Sequence, residues 1–421
     1  MAMDAEKAKE YKNTLLSPIK IGNKVSPNRF VIQPMECTDA DPEGNPTDLT
    51  YKRYENLFKG EAGVVVLEAI SISQRSRGRI DQLMIMKKNL EPLTRFVKHL
   101  KEINPKTIFL FQLTHSGELS NPEFSQRVSV KPLPTYKSDI LTEEELDKIF
   151  DDFVLAAQLT HDAGADGVDM KLCHGYLGSQ ILRPYNDRKW KYGGPWEKRR
   201  QFAFDLYERM QKAVNDKNFL IGSKVSVWEG FPGGFGTTGP DSPVFDPTEP
   251  IDLIKGLEER GAQYFIQSAG SPSITISLTQ ADKNGEYWAY LHQYYAKLMR
   301  DNLKKETVVI GSNYSVFRDG KNKLCAVNPE DSNLFAYGAT NIQKDYVDMI
   351  ALGRQSFADP LLPLKYREGR EKEINWCSVC DNCLELLIQQ RPIGCCTYNK
   401  YYTDILVQTR KEKGKLKVAH T

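Results

Sequence analysis

The stretch KLCHGYLGSQILRPYNDRKWKYGG occupies residues 171–194, and it continues a short apolar run at residues 167–171. A run of this kind is typical of a buried strand, and the glycines that follow it release the backbone for a long loop. His174 and Tyr176 lie two residues apart where this loop begins. The pattern predicts a strand whose carboxyl end passes directly into a loop that carries reactive side chains.

Short runs rich in β-branched residues recur along the chain, each followed by a charged, amphipathic stretch. Eight such strand–helix units in succession predict an α/β fold, a parallel (β/α)8 TIM barrel. A doubly wound open sheet is the alternative, but the glycine-rich dinucleotide turn that it should carry after an early strand is absent from the sequence. The predicted strands cover residues 30–35, 63–69, 107–113, 167–171, 221–227, 263–268, 308–312 and 347–352.

The helical stretches between these runs carry recognisable start and stop signals. Thr142 is followed by three glutamates and predicts the start of one helix, and Gly164 predicts its end. Residues 16–25 contain a Gly-Asn pair and predict a hairpin that closes the bottom of the barrel. We assign residues 1–375 to the barrel and residues 376–421, where the alternation stops, to a C-terminal segment. The predicted helices include residues 49–58, 93–103, 142–163, 197–214, 250–260 and 287–302.

The composition narrows the class of protein. The chain of 421 residues is 40% apolar and carries a formal net charge of +2, which gives no reason to expect a nucleic acid or an anionic membrane as its partner. No apolar run is long enough to cross a bilayer, and the polar N-terminus does not resemble a secretory signal. These features predict a soluble, cytoplasmic protein.

Barrel enzymes place their chemistry on the loops at the carboxyl ends of the strands. Gln112 and Lys224 lie near such ends, and an amide and a cation suit the polar edge of a flat heterocycle that gains negative charge on reduction. Strands seven and eight offer glycine-freed amides and an arginine, the usual phosphate site of this fold. Two kinds of ligand would fit these residues: a flavin that carries a phosphate, or a sugar phosphate. The residues at this second site are Gly311, Ser312, Gly353 and Arg354.

Five cysteines fall within twenty residues near the end of the chain, and four of them form the pattern C-x2-C-x2-C-x12-C. Thiolates at four such positions can hold an iron–sulfur cluster, and a four-thiolate zinc site is the alternative. Chemistry alone does not decide whether Cys395 or Cys396 supplies the fourth thiolate. The other three candidate ligands are Cys377, Cys380 and Cys383.

Several motifs together resemble a known family. Residues 174–194 read H-G-Y-L-x-x-Q-x-L-x-P-x-N-x-R-x-x-x-Y-G-G, and residues 351–360 read ALGRQSFADP. With Pro34-Met35 and Gln112-Leu113-Thr114-His115, these motifs resemble the Old Yellow Enzyme family of FMN-dependent oxidoreductases. The chain is most similar to the branch of 2,4-dienoyl-CoA reductase, 2-enoate reductase and trimethylamine dehydrogenase, whose flavin barrels carry a 4Fe–4S cluster.

The resemblance implies positions for FMN. Gln112 would bind the pyrimidine edge, and Lys224 would stabilise the reduced, anionic flavin beside N1 and C2=O. Glu36 stands where relatives often carry Thr or Cys, and a carboxylate there would disfavour the reduced anion or be protonated itself. The other residues implied to contact FMN are Pro34, Met35, Ala69, Gly311, Ser312, Gly353 and Arg354.

The resemblance also implies roles in catalysis and metal binding. Tyr176 would protonate a carbon of the substrate, and His174 would hold the activating carbonyl. Trp190 replaces an Asp that is common in the family motif. The family register, with an Asn three residues on, favours Cys396 as the fourth cluster ligand. The implied ligands of the 4Fe–4S cluster are thus Cys377, Cys380, Cys383 and Cys396.

These implications predict an ene-reductase that uses FMN and a 4Fe–4S cluster to reduce the activated C=C bond of an enoate, enone or enoyl-CoA. The fused FAD- and NADH-binding domains of its branch have no counterpart in this sequence. We therefore expect electrons from a separate protein or subunit, or from NAD(P)H, and a homo- or hetero-oligomer. Two alternatives stay open. One is an amine dehydrogenase with an aromatic cage that includes Trp228, Tyr264 and Trp288, and the other is a non-redox barrel with structural zinc.

Overall fold

The computed structural model describes residues 5–281, 286–321 and 332–419. Eight parallel strands close into a barrel, and each strand pairs with the next barrel strand in the sequence. The last pairs with the first through Ile350 and Phe30. The strands are β1 (Ile19–Ile21), β2 (Lys24–Ser26), β3 (Phe30–Ile32), β4 (Val64–Ser71), β5 (Ile108–Thr114), β6 (Val128–Ser129), β7 (Asp139–Ile140), β8 (Gly167–Leu172), β9 (Leu220–Ser226), β10 (Tyr264–Ser268), β11 (Val308–Gly311) and β12 (Met349–Leu352).

The predicted (β/α)8 barrel is confirmed, because all eight predicted strands form the closed sheet of β3, β4, β5 and β8 to β12. The first strand ends earlier than predicted, at Ile32, so residues 33–35 leave the sheet and turn towards the cavity described below. The helices are α1 (Ala5–Leu15), α2 (Asp48–Lys59), α3 (Leu90–Ile103), α4 (Glu143–Asp162), α5 (Leu177–Leu182), α6 (Trp196–Val214), α7 (Thr248–Glu259), α8 (Ile276–Thr279), α9 (Glu286–Asp301), α10 (Leu334–Gln343), α11 (Arg354–Ala358), α12 (Leu362–Arg367), α13 (Asn382–Ile388) and α14 (Lys400–Ala419).

Local signals behave as the sequence predicts. Thr142 caps α4 and forms a reciprocal capping box with Glu145, and Gly164 follows the helix with a φ of +85°. β1 and β2 form the predicted antiparallel hairpin. Ile21 of this hairpin packs with the side chains that fill the barrel interior, so the hairpin closes one end of the barrel. The active-site loops therefore lie at the other end.

Two apolar cores hold the barrel. Small and branched side chains fill its interior, and a larger core lies between the strands and the surrounding helices. α1 was not predicted from the sequence, and it buries Tyr11 and Leu15 although most of its residues are charged or polar. Among the described residues, we find no helix that is both long enough and apolar enough to cross a membrane.

Candidate active site at the carboxyl ends of the strands

A cavity of about 1150 Å³, counting its open mouth, lies at the carboxyl ends of the barrel strands. Two residues predicted to contact a cofactor are absent from its wall. Ala69 is fully buried, and its carbonyl oxygen accepts a hydrogen bond from Gln82. Gly311 faces Val347 instead. The predicted residues that do line the cavity are Pro34, Met35, Glu36, Gln112, His174, Tyr176, Lys224, Ser312, Gly353 and Arg354.

The position of Ala69 has a local cause. The register between β4 and β5 shifts between Leu67 and Ile70, which marks a bulge in the strand. A bulge breaks the strict alternation of side chains between the two faces of a strand. The direction of Ala69 could therefore not be read from the period of the sequence.

A chain of hydrogen bonds joins the amino group of Lys224 to two strand ends. Lys224 Nζ donates to Gln33 Oε1 at 2.6 Å, and Gln33 Nε2 donates to Ser312 Oγ at 2.8 Å. Burial lowers the pKa of Lys224, although Cys173 and Asp169 act in the opposite direction. Gln33 was not predicted as a site residue, and its signal was its position immediately before Pro34 at the end of the first predicted strand. These hydrogen bonds fix the amino group of Lys224 in the floor of the cavity.

Gln112 is oriented by a neighbouring carboxyl group. Its Nε2 donates to Asp169 Oδ2 at 2.6 Å, so the side chain is fixed on the cavity wall. Burial raises the pKa of Asp169 to about 7, while Gln112 and Lys224 oppose the shift. Asp169 belongs to β8 and is buried, and its hydrogen bond to Gln112 accounts for an acidic residue inside this strand.

Glu36 is the centre of a buried charge cluster. Its Oε1 accepts from Lys171 Nζ at 2.8 Å and from the Tyr176 hydroxyl, and its Oε2 accepts from Arg79 Nε at 2.9 Å. Burial alone would raise the pKa of Glu36, but Lys171 and Arg79 outweigh it and hold the pKa far below its usual range. Glu36 is therefore ionised rather than protonated. The two cations also compensate its charge, so it does not act as an isolated negative charge in the cavity.

Tyr176 and His174 reach the cavity from an unusual backbone. His174 has a φ of +63° and Gly175 a φ of +76°, left-handed conformations that are uncommon for a residue with a side chain and cluster at functional sites. Burial and the charge of Glu36 raise the pKa of Tyr176 to about 12, so the phenol keeps its proton. Burial and Lys224 lower the pKa of His174, so its imidazole is neutral and shares a 2.7 Å hydrogen bond with Ser268 Oγ.

The cavity wall at the ends of β11 and β12 has open space at Gly353 and an arginine, Arg354, that already has partners. A Cβ at Gly353 would meet only the sulfur of Met35, at 3.4 Å, so the backbone is open to a ligand. Arg354 Nη1 contacts Asp381 Oδ1 at 2.6 Å, and its other amino group donates to the carbonyl of Ala281. The guanidinium predicted to bind phosphate is thus already engaged with the cysteine-rich segment. This open backbone, with the amide and cation of the floor, fits a flat heterocycle that carries a phosphate.

One of the four candidate cluster ligands lines the cavity. Cys383 lies on the cavity wall, Cys380 is exposed, and Cys377 and Cys396 are buried. Cys380 Sγ lies 3.8 Å from the Thr397 hydroxyl, and the hydrogen bonds around Cys380 lower its pKa although burial opposes them. Burial raises the pKa of Cys377, while Arg354 and the backbone at Val379 act in the opposite direction. Hydrogen bonds of this kind stabilise thiolates and tune iron–sulfur clusters, so the donor set fits such a group. Within the described ranges, no three Cys, His, Asp or Glu side chains converge on one point as a single bound ion would require.

Other sequence candidates lie outside the cavity. Trp228, Tyr264 and Trp288 do not line it, so these three residues do not form an aromatic cage there. His115 is buried, and burial lowers its pKa to about 3. His115 Nδ1 accepts from the amide of Gly117, which assigns it a structural role in the loop.

A buried triad of charged side chains links the loop at residues 230–243 to the loop that follows β8. Arg183 Nη1 contacts Glu118 at 2.7 Å, and Arg183 Nε contacts Glu229 at 2.7 Å. Glu229 also accepts from the amide of Phe235 at 2.9 Å. This triad could not be predicted from the sequence, because its members lie in three separate loops. Trp190, the departure from the family motif, is buried and packs edge-on against Tyr192.

Comparison with known proteins agrees with this geometry. Residues 14–373 match the NADH:flavin oxidoreductase / NADH oxidase family. An NADH oxidase of Thermoanaerobacter brockii is 26% identical over 395 residues, which cover 91% of this chain and 56% of that protein. A cinnamate reductase of Clostridium sporogenes is 25% identical over 409 residues, covering 92% of this chain and 58% of that protein. The chain thus spans somewhat more than half the length of these relatives.

The fold is also shared with solved structures. A 2-naphthoyl-CoA reductase in complex with 2-naphthoyl-CoA superimposes with a TM-score of 0.75 at 20% identity, covering 91% of this chain and 57% of that one. At this identity the likeness concerns the fold alone. The family match, by contrast, extends over most of the sequence and includes the strand ends that build the cavity. The chain belongs to the NADH:flavin oxidoreductase / NADH oxidase family.

Proposed function

We propose that this protein is an FMN-dependent ene-reductase that reduces the activated C=C bond of an enoate, enone or enoyl-CoA. The observation that carries the proposal is the pair of side chains on one wall of the cavity: a protonated Tyr176 and a neutral His174. The membership of the family and the similarity to a cinnamate reductase support it. An alkene reductase needs such a proton donor and such a hydrogen-bond donor for the substrate carbonyl.

The cavity would hold FMN through the residues that fit it. Gln112 would bind the polar edge of the ring, Lys224 would stabilise negative charge on it, and the open backbone at Gly353 would receive the phosphate. Bound FMN would supply the hydride, and NAD(P)H is the simplest source of electrons in this family. In this assignment residues 1–375 form the FMN-binding barrel.

Tyr176 would deliver the proton that completes the reduction. Its hydroxyl is buried, and the pKa near 12 keeps it protonated at neutral pH. His174, held by Ser268, would donate to the carbonyl oxygen that activates the alkene. A donor fixed by a second hydrogen bond stabilises developing negative charge without reorganisation.

We further propose that residues 376–421 bind a 4Fe–4S cluster through Cys377, Cys380, Cys383 and Cys396. The polar contact of Cys380 with Thr397 and the position of Cys383 on the cavity wall support this assignment. A cluster at this place would carry single electrons between the cavity and a separate electron-transfer protein or subunit. The exposure of Cys380 would bring one edge of the cluster to the surface.

An anaerobic titration tests the proposed function. The purified protein should show flavin absorbance bands over a broad iron–sulfur absorbance, and addition of an enoate, enone or enoyl-CoA to the reduced protein should restore the oxidised flavin spectrum. Reoxidation by amine-oxidation products only would point to an amine dehydrogenase. A colourless protein that contains zinc would contradict the proposal and favour the non-redox barrel.

The fourth cluster ligand can be decided with two neighbouring cysteines as mutual controls. We expect Cys396→Ser to lose the iron–sulfur absorbance and most of its iron, because three thiolates hold a cubane cluster less firmly than four. Cys395→Ser should keep both, since Cys395 stands outside the proposed ligand set. Iron analysis and absorbance spectroscopy measure the result. Loss of iron in Cys395→Ser alone would transfer the role to Cys395.

A further inference from the structure

The charge cluster around Glu36 contains Lys171 and Arg79, which have no role in the reaction as proposed above. Lys171 Nζ lies 2.8 Å from Glu36 Oε1 and 3.4 Å from the centroid of the Tyr176 ring. The same carboxylate oxygen accepts the hydroxyl proton of Tyr176. One oxygen atom therefore touches both an ammonium group and the phenol that is proposed to donate a proton.

Tyr176 needs a new proton after each reduction, and the surroundings restrict where it can come from. The Lys171 side chain is 4% exposed and that of Glu36 9%, whereas Arg79 is 24% exposed. Without a new proton, the phenolate would remain next to the ionised Glu36, and two like charges in a buried site are unfavourable. A proton carried along the existing hydrogen bonds removes this repulsion.

Lys171 is the member of the cluster that can release a proton. Arg79 holds Glu36 Oε2 at 2.9 Å, but a guanidinium stays protonated in proteins, so Arg79 serves to orient the carboxylate. Burial alone would lower the pKa of Lys171, but Glu36 and Tyr176 raise it, so the ammonium group stays protonated until the phenolate forms beside it. A lysine, unlike an arginine, can then release a proton. The remaining charged or titratable group close to Tyr176 is Glu36 itself, which lies between the two.

We propose that Lys171 is the proton reservoir of the site and that Glu36 relays its proton to Tyr176, an inference that rests on the proposed function. The O–H bond of Tyr176 breaks as a C–H bond forms on the substrate. The N–H bond of Lys171 then breaks, Glu36 Oε1 passes the proton on, and the O–H bond of Tyr176 forms again. Lys171 is left as a neutral amine and takes a proton from water at the cavity mouth.

Lys171→Arg separates a reservoir from a fixed positive charge, because arginine keeps the charge but does not release a proton. We expect the first turnover of this variant to be near the wild-type rate, since Tyr176 still carries its own proton. Later turnovers should be slower by about 10²-fold or more, as for the loss of a general acid. Glu36→Gln, which cannot relay a proton, should show the same pattern. Stopped-flow absorbance of the reduced enzyme, mixed with excess substrate and with excess dithionite as electron donor, measures both phases.

The control is Lys148→Arg, because Lys148 is exposed and, among the described residues, forms an ion pair with Glu144 of the preceding helical turn and with no other carboxylate. It should leave both phases unchanged. Unimpaired later turnovers in Lys171→Arg would overturn the relay. Equal slowing of the first and later turnovers would also overturn it, because Lys171 would then act in the chemical step itself.

A second measurement needs no substrate. In protein labelled with 15Nζ-lysine and 13Cζ-tyrosine, signals are assigned by their loss in Lys171→Arg and Tyr176→Phe. On raising the pH, the Lys171 signal should change before that of Tyr176, because the reservoir must lose its proton first. The reverse order would overturn the relay even if alkene reduction is confirmed. If no alkene oxidises the reduced wild-type protein, the proposed function is rejected. The order in which the Lys171 and Tyr176 signals change would still show which of the two groups loses its proton first.

Discussion

Replacement of Tyr176 with Phe should lower the rate of alkene reduction by about 10²- to 10⁴-fold, the usual contribution of a general acid. The phenylalanine ring fills the same buried space beside Lys171, so the change removes the hydroxyl and little else. Reduction of the flavin by its electron donor should stay near the wild-type rate, because this half-reaction does not need the phenol proton. The two half-reactions can be followed separately by anaerobic stopped-flow absorbance.

The wild-type pH profile provides a second check on Tyr176. Because burial and Glu36 raise the pKa of the phenol to about 12, the donor is protonated at all lower pH values. The rate of alkene reduction should therefore show no loss from deprotonation of Tyr176 up to about pH 10. Equal loss of both half-reactions in Tyr176→Phe, or no loss in either, would reject the proposed role.

Arg183→Met should destabilise the folded protein by about 3–5 kcal/mol, the range for removing one partner of a buried ion pair. The substitution leaves Glu118 and Glu229 without their cation, and both carboxylates are almost fully buried. Burial without a partner is costly for an ionised group, and protonation of the carboxylates would recover only part of the loss. Urea denaturation followed by tryptophan fluorescence measures the free energy of unfolding.

The matched control is Arg200→Met. Arg200 also pairs with a carboxylate, but its partner Asp252 is 41% exposed. An exposed pair contributes about 0–1 kcal/mol, so this variant should unfold close to the wild type. A similar loss of unfolding free energy in both variants would show that the buried triad stabilises the protein no more than an exposed ion pair does.

Repeated local patterns explain why the barrel could be predicted. Alternating apolar runs and amphipathic stretches set strand and helix along the chain, and the parallel barrel follows from their regular succession. Residues at strand ends then share one rim, whatever their distance in sequence. Gln112, Lys224 and Gly353 were placed on the cavity wall by this rule, and the structure finds them there.

Two residues, Ala69 and Arg354, were predicted less well than the others at the strand ends. Ala69 lies in a strand with a bulge, where alternation no longer indicates which way a side chain points. Arg354 was assigned to phosphate from its place after the eighth strand, but its partner Asp381 comes from the cysteine-rich segment. No local pattern relates these two residues, because they meet only when that segment packs on the barrel.

By itself, the sequence determined the barrel and the rim of strand ends on which His174 and Tyr176 lie, because each depends on local periodicity or on a short motif. Only the tertiary structure decided that Glu36 is ionised and bound between Lys171 and Arg79. These side chains come from three separate segments, and their pairing depends on closure of the barrel. The charge state of a buried carboxylate is set by the neighbours that the fold brings to it, which no single segment encodes.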